Sequence, residues 1–156
     1  MSRRLYAFEF PGGRFRNRIV NGVRFIDDTY NSNPFSLRQA LLTLDDITCK
    51  GRKIVVMGDM LELGGMEKKF HREAGELAAH VCDVLITVGG LSRFTADRAR
   101  ACGLRADDIF ICGSSGEAGD VLFNKIKAGK NDLVLVKGSR RMKLEQIFET
   151  QCELSV

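Results

Sequence analysis

Four short apolar runs constrain the fold of this chain more than any other feature of it. They are Ile54-Val55-Val56-Met57, Val84-Leu85-Ile86-Thr87-Val88, Ile109-Phe110-Ile111-Cys112 and Leu133-Val134-Leu135-Val136. Runs of this length, without polar alternation, suit strands covered on both faces. Between them the period becomes helical. Leu37, Leu41 and Leu44 recur at i, i+4 and i+7, and Phe70, Ala74, Leu77, Ala78 and Val81 continue the pattern. Residues 92–102 and 116–128 read as further helices, and Leu144, Ile147 and Phe148 mark a last one. Strand followed by helix, five times over, predicts a parallel sheet with helices on both faces.

The amino end departs from that rhythm. Asn21-Gly22 sits between Ile19-Val20 and Val23. Both turn residues tolerate the positive φ of a type I′ turn, so 14–20 is expected to pair antiparallel with 23–27. The antiparallel segment belongs at an edge. The predicted class is therefore α/β, a Rossmann-like, mostly parallel sheet of about six strands with one antiparallel edge strand. Arg3, Arg4, Arg14, Arg16 and Arg18 crowd around Pro11-Gly12-Gly13. Residues 1–22 read as a connecting segment plus edge strand, and 23–156 as the body of one compact domain.

Composition removes several classes. With 156 residues the chain has one domain's length, and 44% hydrophobic and 28% charged residues exclude a disordered or fibrous chain. A net charge of +4, two tyrosines and no tryptophan argue against nucleic acid as a partner. No apolar run approaches the roughly 18–20 residues of a membrane span. Cys49, Cys82, Cys102, Cys112 and Cys152 form no C-x-x-C, which fits a reducing cytoplasm. His71 and His80 do not make a zinc-binding helix pair, and no metal set is expected.

Parallel sheets bind ligands beyond the carboxyl ends of their strands, so the strand-to-helix loops are the places to search. In Asp27-Asp28-Thr29-Tyr30-Asn31-Ser32-Asn33-Pro34, Asn33 and Pro34 serve as cap and first residue of a helix. Capping leaves unexplained two carboxylates, a tyrosine and a second asparagine at one strand end. Gly58-Asp59-Met60-Leu61-Glu62-Leu63-Gly64-Gly65 puts a carboxylate between glycines, suited to a cation or ammonium, or simply to a turn. Glu67 and His71-Arg72-Glu73 follow one helical turn later. Lys137-Gly138-Ser139-Arg140-Arg141 gathers cations and a hydroxyl where a carboxylate or phosphate would fit, with plain solvated charge as the alternative. Gly113-Ser114-Ser115-Gly116 fits neither phosphate-loop pattern and reads as helix capping.

Taken together, Asn21-Gly22-Val23, Ile26 to Pro34, Gly58 to Gly64, His71 to Gly75 and Val136 to Arg140 resemble the C-terminal domain of a Mur ligase. The branch resembled is the one joining D-alanyl-D-alanine to UDP-N-acetylmuramoyl-tripeptide in peptidoglycan precursor synthesis. The similarity runs over nearly the whole chain. It implies an ATP-dependent, amide-bond-forming ligase in which ATP and magnesium activate the peptide carboxylate as an acyl phosphate and the dipeptide amine attacks. It implies Tyr30, Asn31, Asn33 and Pro34 on the nucleotide side of the cleft. It implies Asp59, Arg72, Lys137, Ser139 and Arg140 towards the reacting carboxylate and the dipeptide. In that family the central domain carries the phosphate loop, which this sequence lacks. The chain is therefore expected to be a C-terminal fragment, inactive alone, with Leu5 to Arg18 as remnant of the interdomain connection. Its partners would be the N-terminal and central domains of the same polypeptide. A stand-alone nucleotide-binding or regulatory α/β module is the competing reading. A small α/β hydrolase is not, since there is no G-x-S-x-G elbow.

Overall fold

The structure is a computed structural model and describes residues 15–149. Most of the proposed interdomain remnant and Cys152 lie outside those residues. The strands are β1 (Arg16–Val20), β2 (Val23–Asp28), β3 (Lys53–Gly58), β4 (Val84–Val88), β5 (Ile109–Cys112) and β6 (Leu133–Lys137). They form one sheet in the order β1-β2-β6-β3-β4-β5. Only β1 runs antiparallel, paired to β2 at the edge with Val20 opposite Val23. Asn21 and Gly22 have φ of 50° and 77°, the left-handed pair that closes a two-residue hairpin.

The helices are α1 (Pro34–Asp46), α2 (Glu67–Val81), α3 (Ser92–Ala101) and α4 (Ser115–Asp120), with a helical turn at 146–149. Side chains alternate across the strands and divide the core into two layers. In β6, Leu133 and Leu135 join the layer under α1 and α2, with Leu37, Leu41, Leu44 and Ala78. Val134 and Val136 face the other way, against Leu122, Ile147 and Phe148. Both faces being covered is why β3, β4 and β6 read as unbroken apolar runs.

One element differs from expectation. The predicted helix over 116–128 stops being α-helical after Asp120 and continues as a π turn over Val121–Lys125. Gly116 and Gly119 weaken the α-helix, and the Ile126 N–H reaches back to the Val121 carbonyl at 2.8 Å. Ser114 caps α4, accepting the Glu117 N–H, and the Glu117 carboxylate accepts the Gly113 N–H at 2.8 Å. The loop that superficially resembles a phosphate cradle is thus occupied with its own helix.

At the opposite, amino end of the sheet, Asp132 holds β3 to β6. It accepts from the Arg52 N–H and Nη2, both at 2.8 Å, and from the Gly129 N–H at 2.9 Å. Burial pushes the Asp132 carboxyl up, but these hydrogen bonds outweigh it, so the group ends below its ordinary value. A depressed carboxyl stabilises the fold above the unfolded value and loses that contribution as pH falls through the folded one. Asp132→Asn is therefore expected to cost about 1.5–3 kcal/mol at neutral pH and almost nothing in strong acid. Urea unfolding at pH 7 and pH 3 checks this, and a cost unchanged at pH 3 would contradict it.

Candidate functional site

The carboxyl ends of β2, β6, β3 and β4 lie side by side, and the loops leaving them build the site. Asp27 and Asp28 are neighbours in sequence but point to opposite faces. Asp27 is buried, accepts the Thr29 hydroxyl at 2.7 Å and pairs with Arg18 at 3.0 Å, so it shapes the turn. Asp28 turns the other way. Its Oδ2 meets the Lys137 Nζ at 2.9 Å and its Oδ1 accepts the Phe15 N–H at 3.2 Å. Lys137, 1% exposed, also donates to the Asn31 carbonyl at 2.8 Å. An ammonium carries three protons, and these two contacts use two of them.

This ion pair closes one wall of a cavity of about 660 Å³. Phe15, Tyr30 and Phe35 supply rings to its lining, and Asn31, Asn33 and Gln39 add amides. Phe35 is 73% exposed at the second position of α1, where no core contact accounts for a large ring. Asn33 caps α1: its Oδ1 accepts the Ser36 N–H at 2.8 Å. That bond leaves the side-chain NH₂ of Asn33 free of the cap. The Arg140 guanidinium stands 5.7 Å from the Tyr30 ring centroid, so the loop after β6 joins the rim of the same cavity.

The remaining residues predicted from sequence fall elsewhere. Pro34 faces a small cleft between α1 and α2, beside Met60 and Phe70. Asp59 is 7% exposed, and its Oδ1 accepts both the N–H and the hydroxyl of Ser92 at 2.6 Å, tying the β3 loop to the start of α3. Ser139 donates to the Asp59 carbonyl at 3.0 Å and accepts the Leu61 N–H at 3.4 Å. Arg72 is exposed on α2 over the Phe94 ring, in a separate groove. The structure thus gathers Tyr30, Asn31, Asn33 and Lys137 around one cavity, with Arg140 against the Tyr30 ring. It links Asp59 to Ser139 beside that group and leaves Arg72 and Pro34 apart.

Sequence reasoning passed over Phe15, Phe35 and Gln39, and it noted Asp28 and His71 in their loops without giving either a role. Phe35, Gln39 and Thr43 repeat at four-residue spacing, a second face of α1 opposite its leucines, and that signal was available. His71 is 1% exposed; its Nε2 accepts the Met60 N–H at 3.0 Å and its Nδ1 lies 2.7 Å from the Glu67 carbonyl. Those partners require a neutral ring protonated at Nδ1, which pins the loop after β3. No described cysteine lines this cavity, and burial pushes the Cys82 thiol, at the end of α2, up to about 12. Among the described residues no group of histidines, cysteines and carboxylates could hold a metal ion, and no helix is long and apolar enough to cross a membrane.

Comparison with known proteins adds a family. The sequence matches the family described as Mur ligase, glutamate ligase domain, over residues 13–140. It is 36% identical over 135 residues to UDP-N-acetylmuramoyl-tripeptide--D-alanyl-D-alanine ligase of Bacillus subtilis, covering 85% of this chain and 29% of that one. The ligase of the same name from Haemophilus influenzae is 30% identical over 145 residues, covering 90% of this chain and 30% of that one. The crystal structure of MurF ligase from Thermotoga maritima in complex with ADP superposes with a TM-score of 0.74 at 27% identity, covering 96% of this chain and 33% of that one. MurF from Acinetobacter baumannii gives 0.79 at 30% identity, with 94% and 32% covered. The chain therefore spans less than a third of the length of these curated relatives.

Proposed function

The chain belongs to the Mur ligase family, in its glutamate ligase domain, and from that premise we propose that it closes over nucleotide and incoming dipeptide in an ATP-dependent ligase. The ligase would join D-alanyl-D-alanine to UDP-N-acetylmuramoyl-tripeptide, in the cytoplasm, with N-terminal and central domains as its partners. Two relatives named for that reaction support the reading. The observation that carries it is the cavity beside the Asp28–Lys137 pair, with exposed aromatic rings and amides around it.

The donor set fits the nucleoside end of ATP. A purine can stack on Tyr30 or Phe35 while Asn31, Asn33 and Gln39 offer amides to its edge or to the ribose. The remaining proton of Lys137 suits a phosphate oxygen. A full phosphate cradle is not in this sequence, and magnesium would be held with the phosphates by another domain. When bound, ATP supplies the phosphoryl group that activates the peptide carboxylate. The role of this chain is to bind, orient and exclude water. The exposed guanidinium of Arg140, over the Tyr30 ring, suits the dipeptide carboxylate. Asp59 and Ser139 set the position of the loop beside it.

Phe35→Ala tests the reading with little risk to the fold. Removing an exposed ring should move stability by less than about 0.5 kcal/mol. If the ring stacks on a base, adenosine and ADP binding should weaken by about 1–3 kcal/mol. NMR titration of the chain with either ligand should shift the Tyr30 and Asn31 amides. An Asn31 signal that ignores both ligands would remove the nucleotide from this cavity.

A further inference from the structure

A second groove, of about 410 Å³, opens between α2 and α3 and shares no lining residue with the cavity beside Asp28 and Lys137. Lys68, Lys69, Arg72 and Arg98 line it, against only two carboxylates, Glu73 and Glu76. Those carboxylates are already engaged. Lys69 approaches Glu73 at 4.0 Å and Arg98 pairs with Glu76 at 3.1 Å. Among the described residues, Lys68 and Arg72 make no ion pair. Both stand instead over one ring, that of Phe94, with the Lys68 ammonium at 5.4 Å and the Arg72 guanidinium at 5.7 Å from its centroid.

One ring attracts each cation weakly but does nothing about their mutual repulsion. We propose that this groove binds a small anion through a carboxylate or phosphate, held by the Lys68 ammonium and the Arg72 guanidinium with Phe94 behind them. Guanidinium and ammonium together offer a two-pronged donor and a point charge to one anionic group. The site is independent of the nucleotide reading and separates Arg72 from the Arg140 rim. Gly65 lies at the groove's mouth, and a Cβ there would meet nothing within 4 Å.

NMR titration of the chain with inorganic pyrophosphate, and separately with D-alanyl-D-alanine, tests the proposal at constant ionic strength. Saturable shifts of the Gly65, Lys68, Arg72 and Phe94 amides are expected with at least one probe, and any response of the Tyr30 and Asn31 amides should survive the groove variants below. A response to pyrophosphate alone assigns a phosphate ligand, and a response to the dipeptide alone assigns a carboxylate. Replacing Lys68 and Arg72 together by Ala should weaken binding roughly tenfold or more. Gly65→Glu provides the second variant, since it places a carboxylate in the groove without disturbing packing, and it should abolish the shifts with the fold intact. Absence of saturable shifts with both probes, or shifts that survive Gly65→Glu, would overturn the site.

Discussion

Lys137→Ala is expected to lower the stability of the chain by about 3–5 kcal/mol, the usual cost of removing one partner from a buried ion pair. Lys137 is 1% exposed and the Asp28 side chain 14%, so the abandoned carboxylate regains little water. The Asn31 carbonyl also loses its donor. A fall in Tm of roughly 10 °C should follow for a domain of this size. The double variant Lys137→Met, Asp28→Asn should recover much of that loss. An amide can still accept the Phe15 N–H at the position where Asp28 does, and no uncompensated charge remains. Thermal melts of the single and double variants check this. Equal losses in both would show that Lys137 acts through packing and not through its charge.

Gly75→Ala is expected to cost nearly as much, although alanine is the better helix former by about 1 kcal/mol. A Cβ on Gly75 would lie 2.2 Å from the Thr95 carbonyl oxygen and 3.1 Å from the Arg98 Cβ. The first obstacle is backbone, which cannot rotate aside. α2 and α3 would have to separate, stretching the Thr95 hydroxyl from the His71 carbonyl, now 2.9 Å apart. A loss near the top of the ~1–3 kcal/mol range for overpacking is expected. Denaturant unfolding of Gly75→Ala measures it, and an unchanged or raised midpoint would mean the two helices are not in this close contact.

Much of this architecture was legible in the sequence because burial on both faces leaves so plain a trace. Ile54 to Met57 and Leu133 to Val136 could be read as inner strands from apolar character alone. Asn21-Gly22 announced the edge hairpin through backbone sterics. The end of α4 was not legible, since a π turn over Val121–Lys125 changes hydrogen-bond register without changing residue type.

The site was legible only in pieces. Asp27 and Asp28 looked like one paired feature, yet pleating sends one to Arg18 and the other to Lys137. That second partner follows from β2 lying beside β6, and strand order is not written in local pattern. Arg72 was grouped with Arg140 by resemblance. The helix phase that puts His71 against Met60 turns the neighbouring Arg72 outward over Phe94. Phe35 was passed over because a ring beside a capping proline looks like part of a helix start.

The adjacency of β2 and β6 also governs how the molecule comes to exist in time. Lys137 and the Asn31 carbonyl it grips are 106 residues apart. Closing a loop of that length costs on the order of 4 kcal/mol in chain entropy before any contact returns it. The hairpin of β1 and β2 can form as soon as those residues emerge during synthesis. The cavity wall beside Asp28 cannot, because its ammonium arrives with the last strand. Until then the β2 edge has no parallel partner, and neither the Asp28 carboxylate nor the Asn31 carbonyl has its ammonium. Assembly of the cavity is therefore a late, long-range event, and a nascent chain halted before residue 133 should present an open, aggregation-prone β2 edge.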